Sequence, residues 1–60
     1  MRYSELIRIL KEHNCSFVKS GARHDIWVNA AGITEAIPRH NGKEVPTGMA
    51  NKLLKWAGEK

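Results

Sequence analysis

The turn signals in the middle of this sequence stand so close together that the strands between them can pair only in the antiparallel sense. Gly21 ends the apolar segment at 16–20, and Gly32 ends a loop of polar or small residues at 29–32. A parallel connection needs a crossover of about a dozen residues, and neither gap is that long. Segments rich in strand-forming residues therefore predict a three-stranded antiparallel sheet, with strands at 16–20, 24–29 and 33–37.

A first helix is predicted over residues 4–13, because apolar side chains recur there at the spacing of one helix face. The stripe consists of Leu6, Ile7 and Leu10. Ser4 is expected to cap the N-terminal end of this helix, and Asn14 is expected to end it in the left-handed conformation.

A second helix is predicted from about Thr47 to Trp56, with Gly58 as its stop. Its apolar stripe consists of Met49, Leu53 and Trp56. Two helices with one apolar stripe each are buried most economically when both pack on the same face of the sheet. The predicted fold class is therefore α+β, in the order α-β-β-β-α, as a single domain spanning residues 1–60.

The chain has 60 residues, and a domain of this size buries only about 60 % of the surface that its unfolded form exposes. A disulfide cannot add stability, because Cys15 is the only cysteine, and a lone thiol fits a reducing cytoplasm. His13 and Cys15 lack the second ligand pair of a zinc site, so no metal and no cofactor are expected. A partner protein is the expected source of further stability.

The net charge of +4 and the sequence pI of about 9.7 favour polyanionic partners, either nucleic acid or an acidic protein. No apolar run approaches the roughly 18 residues of a membrane span. Charged residues also interrupt every apolar cluster near the N-terminus, which argues against a signal peptide. These features predict a soluble cytoplasmic protein that does not bind a membrane.

His24 is the candidate catalytic residue, because it stands where a loop becomes a strand. An imidazole with ordinary acidity titrates near neutral pH, which suits it to move protons. Such a base can take the proton of an RNA 2′-hydroxyl, and no metal is needed if cations stabilise the charge on the phosphate. The alternative is a strand-edge histidine hydrogen-bonded to a neighbour, and spacing alone does not decide between the two.

Strand alternation places His24 on the same side as Ile26 and Val28, and Trp27 on the other side. A turn or bulge at His24 would break this pattern, so the sequence leaves open which sheet face carries the imidazole. Trp27 is compatible with the core, with a platform for RNA bases or with a partner contact, whereas Trp56 lies on an apolar stripe and is assigned to the core.

Five further side chains are candidates for binding RNA phosphates: Lys19, Arg23, Arg39, His40 and Lys43. The start of the second strand should lie beside the end of the third, which brings Pro38, Arg39 and His40 close to His24. Gly21 would let the backbone approach a ligand closely. The alternative for each of these polar side chains is a solvated position on the surface.

In their order along the chain, these segments resemble the HicA-type toxin family, whose members are small mRNA interferases with a double-stranded-RNA-binding-domain-like fold. The resemblance rests on Leu6-Ile7-Arg8-Ile9-Leu10, Gly-x-x-His at 21–24, Ile26-Trp27, Pro38-Arg39-His40, Gly42-Lys43-Glu44-Val45-Pro46 and Gly48. It implies that His24 is catalytic and that a HicB-type antitoxin covers the active site. Many members have Gly-Ser-His, whereas Gly21-Ala22-Arg23-His24 resembles the branch with arginine before the histidine.

The sequence therefore predicts the toxin of a type II toxin–antitoxin system, a metal-independent endoribonuclease that cuts mRNA and arrests translation. Two readings from other classes stay open. One is a non-catalytic RNA-binding module that reads RNA shape through a basic face. The other is a basic interaction domain that docks an acidic protein. The sequence leaves open both a homodimer and a larger toxin–antitoxin complex.

Overall fold

In a computed structural model, the chain forms one helix, three strands and a second helix, which confirms the predicted α+β fold. The structure describes residues 1–39 and 43–58. The elements in chain order are α1 (Tyr3–Glu12), β1 (Ser16–Ser20), β2 (His24–Val28), β3 (Thr34–Pro38) and α2 (Thr47–Ala57).

The three strands form one antiparallel sheet in the order β1-β2-β3, with β2 in the centre. Ser20 pairs with Asp25 across the first hairpin, and His24 pairs with Pro38 at the end of β3. The register between β1 and β2 shifts between Phe17 and Lys19, so Val18 is an extra residue in the outer strand. This pairing confirms that the start of β2 lies beside the end of β3.

The two faces of the sheet differ in what covers them. Trp27 is only 5 % exposed and Ile37 only 1 %, because both pack in one cluster with the two helices. Alternation along β2 then places His24, Ile26 and Val28 on the opposite face, which we call the open face. Within residues 1–39 and 43–58, neither helix packs on the open face.

The core is built from small and aliphatic side chains around one tryptophan. Its members are Leu6, Leu10, Cys15, Trp27, Ile37, Val45, Ala50, Leu53 and Ala57. The structure thus assigns Trp27 to the core, so its other two readings, an RNA platform and a partner contact, are wrong. Trp56 is partly buried and packs against the same cluster.

The helix ends show where local sequence signals succeeded and where they failed. Asn14, with φ of 65°, and Gly58, with φ of 104°, both adopt the left-handed conformation, as predicted. The predicted cap at Ser4 is wrong, because α1 begins earlier, at Tyr3. The Tyr3 amide donates a hydrogen bond to the carbonyl oxygen of Lys43 (3.0 Å), and this contact replaces a side-chain cap.

Candidate active site

The turn between β1 and β2 is closed by a short backbone contact. The amide of Gly21 donates a hydrogen bond to the carbonyl oxygen of His24 at 2.6 Å. A Cβ atom at position 21 would lie 2.9 Å from that oxygen, closer than real Cβ contacts occur. The close approach of the chain to itself therefore requires glycine at position 21, and the close approach of a ligand to this backbone stays a prediction.

Arg39 fastens this turn to the end of β3. Its Nη1 atom donates to Oδ1 of Asp25 at 2.8 Å, while Nη2 donates to the carbonyl oxygens of Ala22 at 2.8 Å and Gly21 at 3.3 Å. The Asp25 side chain is mostly buried, which limits the screening of this ion pair by water. All of these contacts lie within the chain, and phosphate binding by Arg39 stays a prediction.

Tyr3, at the start of α1, lies close enough to this ion pair for its phenol to respond to both charges. Burial raises the pKa of Tyr3 above its ordinary value of about 10; the negative charge of Asp25 raises it further, and the positive charge of Arg39 lowers it. Hydrogen bonds therefore connect the turn to the end of β3, and Tyr3 of α1 lies within electrostatic range of the Asp25–Arg39 pair. Neither Tyr3 nor Asp25 was singled out from the sequence, although the position of Asp25 next to His24 was an available signal.

His24 is the first residue of β2. It is exposed, and its imidazole lies on the open face. It borders a shallow depression of about 430 Å³. The residues that line this depression are Gly21, Ala22, Arg23, His24, Ile26 and Ala36. Among residues 1–39 and 43–58, we find no hydrogen bond to the imidazole. His24 is thus accessible to a ligand and is not packed among aliphatic side chains.

The predicted cationic residues divide between several parts of the surface. Arg23 lines the depression beside His24, and Lys19 pairs with Ile26, which places it on the same open face. Lys43 is exposed, and its carbonyl oxygen accepts the Tyr3 amide at the start of α1. His40 lies outside the described residues. The structure therefore brings Arg23 and Lys19 to the face of His24.

Residues 1–39 and 43–58 contain neither a cluster of metal ligands nor a helix that could span a membrane. No group of three histidine, cysteine or carboxylate side chains converges as a metal site would require. Neither helix in this part of the chain is long and apolar enough to cross a bilayer.

The chain matches the family model described as the HicA toxin of bacterial toxin-antitoxin. The match spans residues 3–59, so it includes all five elements, the β1–β2 turn and every candidate site residue. Comparisons with curated proteins and with solved structures found no match. Because the family model covers nearly the whole chain, this protein belongs to the HicA toxin family of bacterial toxin–antitoxin systems.

Proposed function

We propose that this toxin is a metal-independent endoribonuclease that cuts mRNA, with His24 as its general base. The observation that carries the proposal is the placement of His24. Its imidazole is exposed on the open face, beside Arg23, at a turn that Gly21 and Arg39 hold in place. A rigid turn that presents an accessible imidazole next to a cation is the arrangement that proton transfer near a phosphate requires.

In the proposed reaction, His24 removes the proton from a ribose 2′-hydroxyl. The 2′-oxygen then attacks the adjacent phosphorus, and the bond from phosphorus to the 5′-oxygen of the next nucleotide breaks. The products are a 2′,3′-cyclic phosphate and a 5′-hydroxyl, whose proton comes from water or from a second acid, for which His40 is the sequence-based candidate. The positive charges of Arg23 and Lys19 stabilise the negative charge that builds on the phosphate oxygens.

Arg39 retains some capacity to bind phosphate in addition to holding the turn. A guanidinium group has five N–H donors, and the three contacts to Asp25, Ala22 and Gly21 occupy three of them. The two remaining donors can serve an anion at the end of β3. Lys43 is proposed to contact a more distant phosphate of the same RNA strand.

The proposal is tested with purified protein, a single-stranded mRNA fragment and the variant His24→Ala. Cleavage should persist in EDTA, should yield 2′,3′-cyclic phosphate ends, and should fall by a factor of about 100 or more in the variant. Thr34→Ala is the control, because Thr34 is exposed at the far end of β3, away from the depression. A requirement for magnesium, or full activity of His24→Ala, would refute the mechanism.

The rival functions give different results in the same experiment. A non-catalytic RNA-binding module binds the fragment but cuts nothing before or after the substitution. A basic domain that only docks an acidic protein shows no RNA binding even at low salt.

Membership of a toxin–antitoxin family implies an antitoxin partner. We propose that this partner is a HicB-type protein that acts with the toxin in the cytoplasm, and that its acidic surface covers the open face. A toxin with a net charge of +4 favours a partner of opposite charge. A small acidic protein encoded by the neighbouring gene should abolish RNA cleavage when it is added in equimolar amount. Cleavage that continues in the resulting complex would contradict this assignment.

A further inference from the structure

The depression beside His24 has an apolar floor that the proposed cleavage chemistry does not use. Proton transfer and phosphate binding need only the polar groups at its rim, His24 and Arg23. The floor is formed instead by Ile26 and Ala36, with Ala22 at one side. A concave apolar surface beside a reactive group is a candidate binding site for the apolar part of a ligand.

The register of the sheet explains why the floor is recessed. Ile26 pairs with Ala36 of β3 and with Lys19 of β1, so these three side chains form one row across the open face. Ala36 contributes only a methyl group to this row, which leaves space above β3. The recess of about 430 Å³ lies at the lower end of the range for small-ligand pockets, roughly 300–1,000 Å³.

We propose that this depression is a nucleobase subsite, in which one unpaired base of the RNA lies over Ile26 and Ala36. The inference rests on the proposed function and specifies its substrate. The flat face of a base is its least polar surface, so contact with this apolar floor removes that face from water. A base seated on the floor brings its ribose to His24 and its phosphate to Arg23.

The charge of the rim favours a nucleotide over an apolar protein side chain as the occupant. Arg23 lines the depression, and Lys19 lies in the same row as its floor. A nucleotide matches both parts of the site, because its base is flat and weakly polar while its phosphate is an anion. A base held inside a duplex cannot reach the floor, so the preferred substrate is single-stranded RNA.

The test fills the depression with the substitution Ala36→Leu. Ala36 is exposed, so the added atoms enter the recess and not the core. The KM for cleavage of a single-stranded RNA should rise by about tenfold or more, because the added atoms remove the apolar contact of one base with the floor. The matched control is Thr34→Leu, which lies on the same strand and face but outside the depression, and its KM should stay within about twofold of wild type.

A second measurement does not depend on cleavage. Nucleoside 3′-monophosphates should shift the backbone amide NMR signals of Ile26 and Ala36 in the wild type and in Thr34→Leu, but not in Ala36→Leu. Ribose phosphate, which lacks the base, should leave the signals of both residues in place.

The outcomes separate the subsite from the nuclease mechanism. Base-dependent shifts at Ile26 and Ala36 without any RNA cleavage would support the subsite and refute the proposed function. Normal KM values for Ala36→Leu in a cleaving enzyme would overturn the subsite and leave the function intact. If Ala36→Leu weakens only the binding of the acidic antitoxin, the occupant is a protein side chain and the subsite proposal is wrong.

Discussion

The turn between β1 and β2 requires a residue without a Cβ atom at position 21. The reason is the approach of the His24 carbonyl oxygen, which accepts the Gly21 amide and leaves no space for a methyl group. The glycine therefore determines where the backbone of the candidate base lies. A substitution at position 21 should therefore displace the backbone of His24 without altering any side chain that could contact RNA.

We predict that Gly21→Ala lowers RNA cleavage by about tenfold to 100-fold, because a displaced His24 loses its alignment with the 2′-hydroxyl. The free energy of unfolding should fall by about 1–3 kcal/mol. Gly48→Ala is the matched control. A Cβ atom at that helical position meets open space, and alanine should stabilise α2 by about 0.5–1 kcal/mol. Equal activity of the two variants would contradict the role assigned to Gly21.

The phenol of Tyr3 reports on the Asp25–Arg39 pair. Asp25→Asn removes a negative charge and should lower the pKa of Tyr3, whereas Arg39→Gln removes a positive charge and should raise it. Tyr3 is the only tyrosine, so its ionisation can be followed directly by ultraviolet absorbance. Because folding raises the pKa of Tyr3, its contribution to stability is complete below a pH of about 10 and is lost as the pH rises through the folded-state value.

One outcome of the titration would contradict this prediction. If both substitutions leave the pKa of Tyr3 where it is in the wild type, the phenol does not face the ion pair. The connection between α1 and the turn would then be absent in solution.

At the scale of elements, the hairpin between β2 and β3 is attached to the end of α2 by side-chain hydrogen bonds. Nδ2 of Asn29 donates to the carbonyl oxygen of Trp56 (2.7 Å), and Nε1 of Trp56 donates to the carbonyl oxygen of Ile33 (3.1 Å). Oδ1 of Asn29 accepts the amides of Ala31 (3.0 Å) and Ile33 (2.9 Å) within the loop. One asparagine thus shapes the loop and holds the helix against it.

We predict that Asn29→Ala lowers the free energy of unfolding by about 1–3 kcal/mol, since it leaves the Trp56 carbonyl and two loop amides without their partners. The measurement is urea denaturation, in which the midpoint should fall while the slope stays the same. Asn51→Ala provides the comparison, because Asn51 is exposed on α2 and alanine favours the helix there. Equal midpoints for the two variants would argue against the Asn29 contacts.

The elements themselves could be predicted from sequence because their signals are local. Hydrophobic spacing, Asn14 and Gly58 located both helices to within one or two residues, and Gly21 located the first hairpin. The start of α1 could not be found in this way, because it depends on a backbone contact to Lys43, far away in the chain. The bonds of Asn29 to α2 are long-range in the same sense.

The same limit applies to the candidate site. Antiparallel pairing rules predict that His24 lies next to Pro38, and the register of β2 and β3 confirms it. The sequence did not predict the contacts of Arg39 within the protein. An arginine that stabilises a turn and an arginine that binds phosphate have the same charge and the same hydrogen-bond donors. Only the distances to Asp25 and Ala22 show that its guanidinium is engaged within the protein.

At the scale of the whole molecule, positive charge and an uncovered sheet face occur together. The chain carries a net charge of +4, and Lys19 and Arg23 lie on the open face with His24. Lys52 belongs to the other side of the molecule, where it approaches Glu35 at 3.5 Å. An RNA bound across the open face should therefore sense the first two cations and not the third.

This arrangement predicts the salt dependence of RNA binding. The slope of log affinity against log salt concentration is negative, and its magnitude should decrease by about 0.7 for each of Lys19→Ala and Arg23→Ala, because each removes one contact to a single-stranded phosphate backbone. Lys52→Ala should leave the slope unchanged. The affinities are best measured with His24→Ala as the background, so that the RNA stays intact. A slope that responds only to Lys52 would place the RNA on the helical side.

The extra residue in β1 has a consequence for how the protein behaves when it is alone. Val18 interrupts the regular spacing of backbone donors and acceptors along the outer border of the sheet. A fourth strand, from a second copy or from a fibril, could not pair with this edge without losing backbone hydrogen bonds. A molecule released from its partner therefore has a built-in protection against self-association along that border.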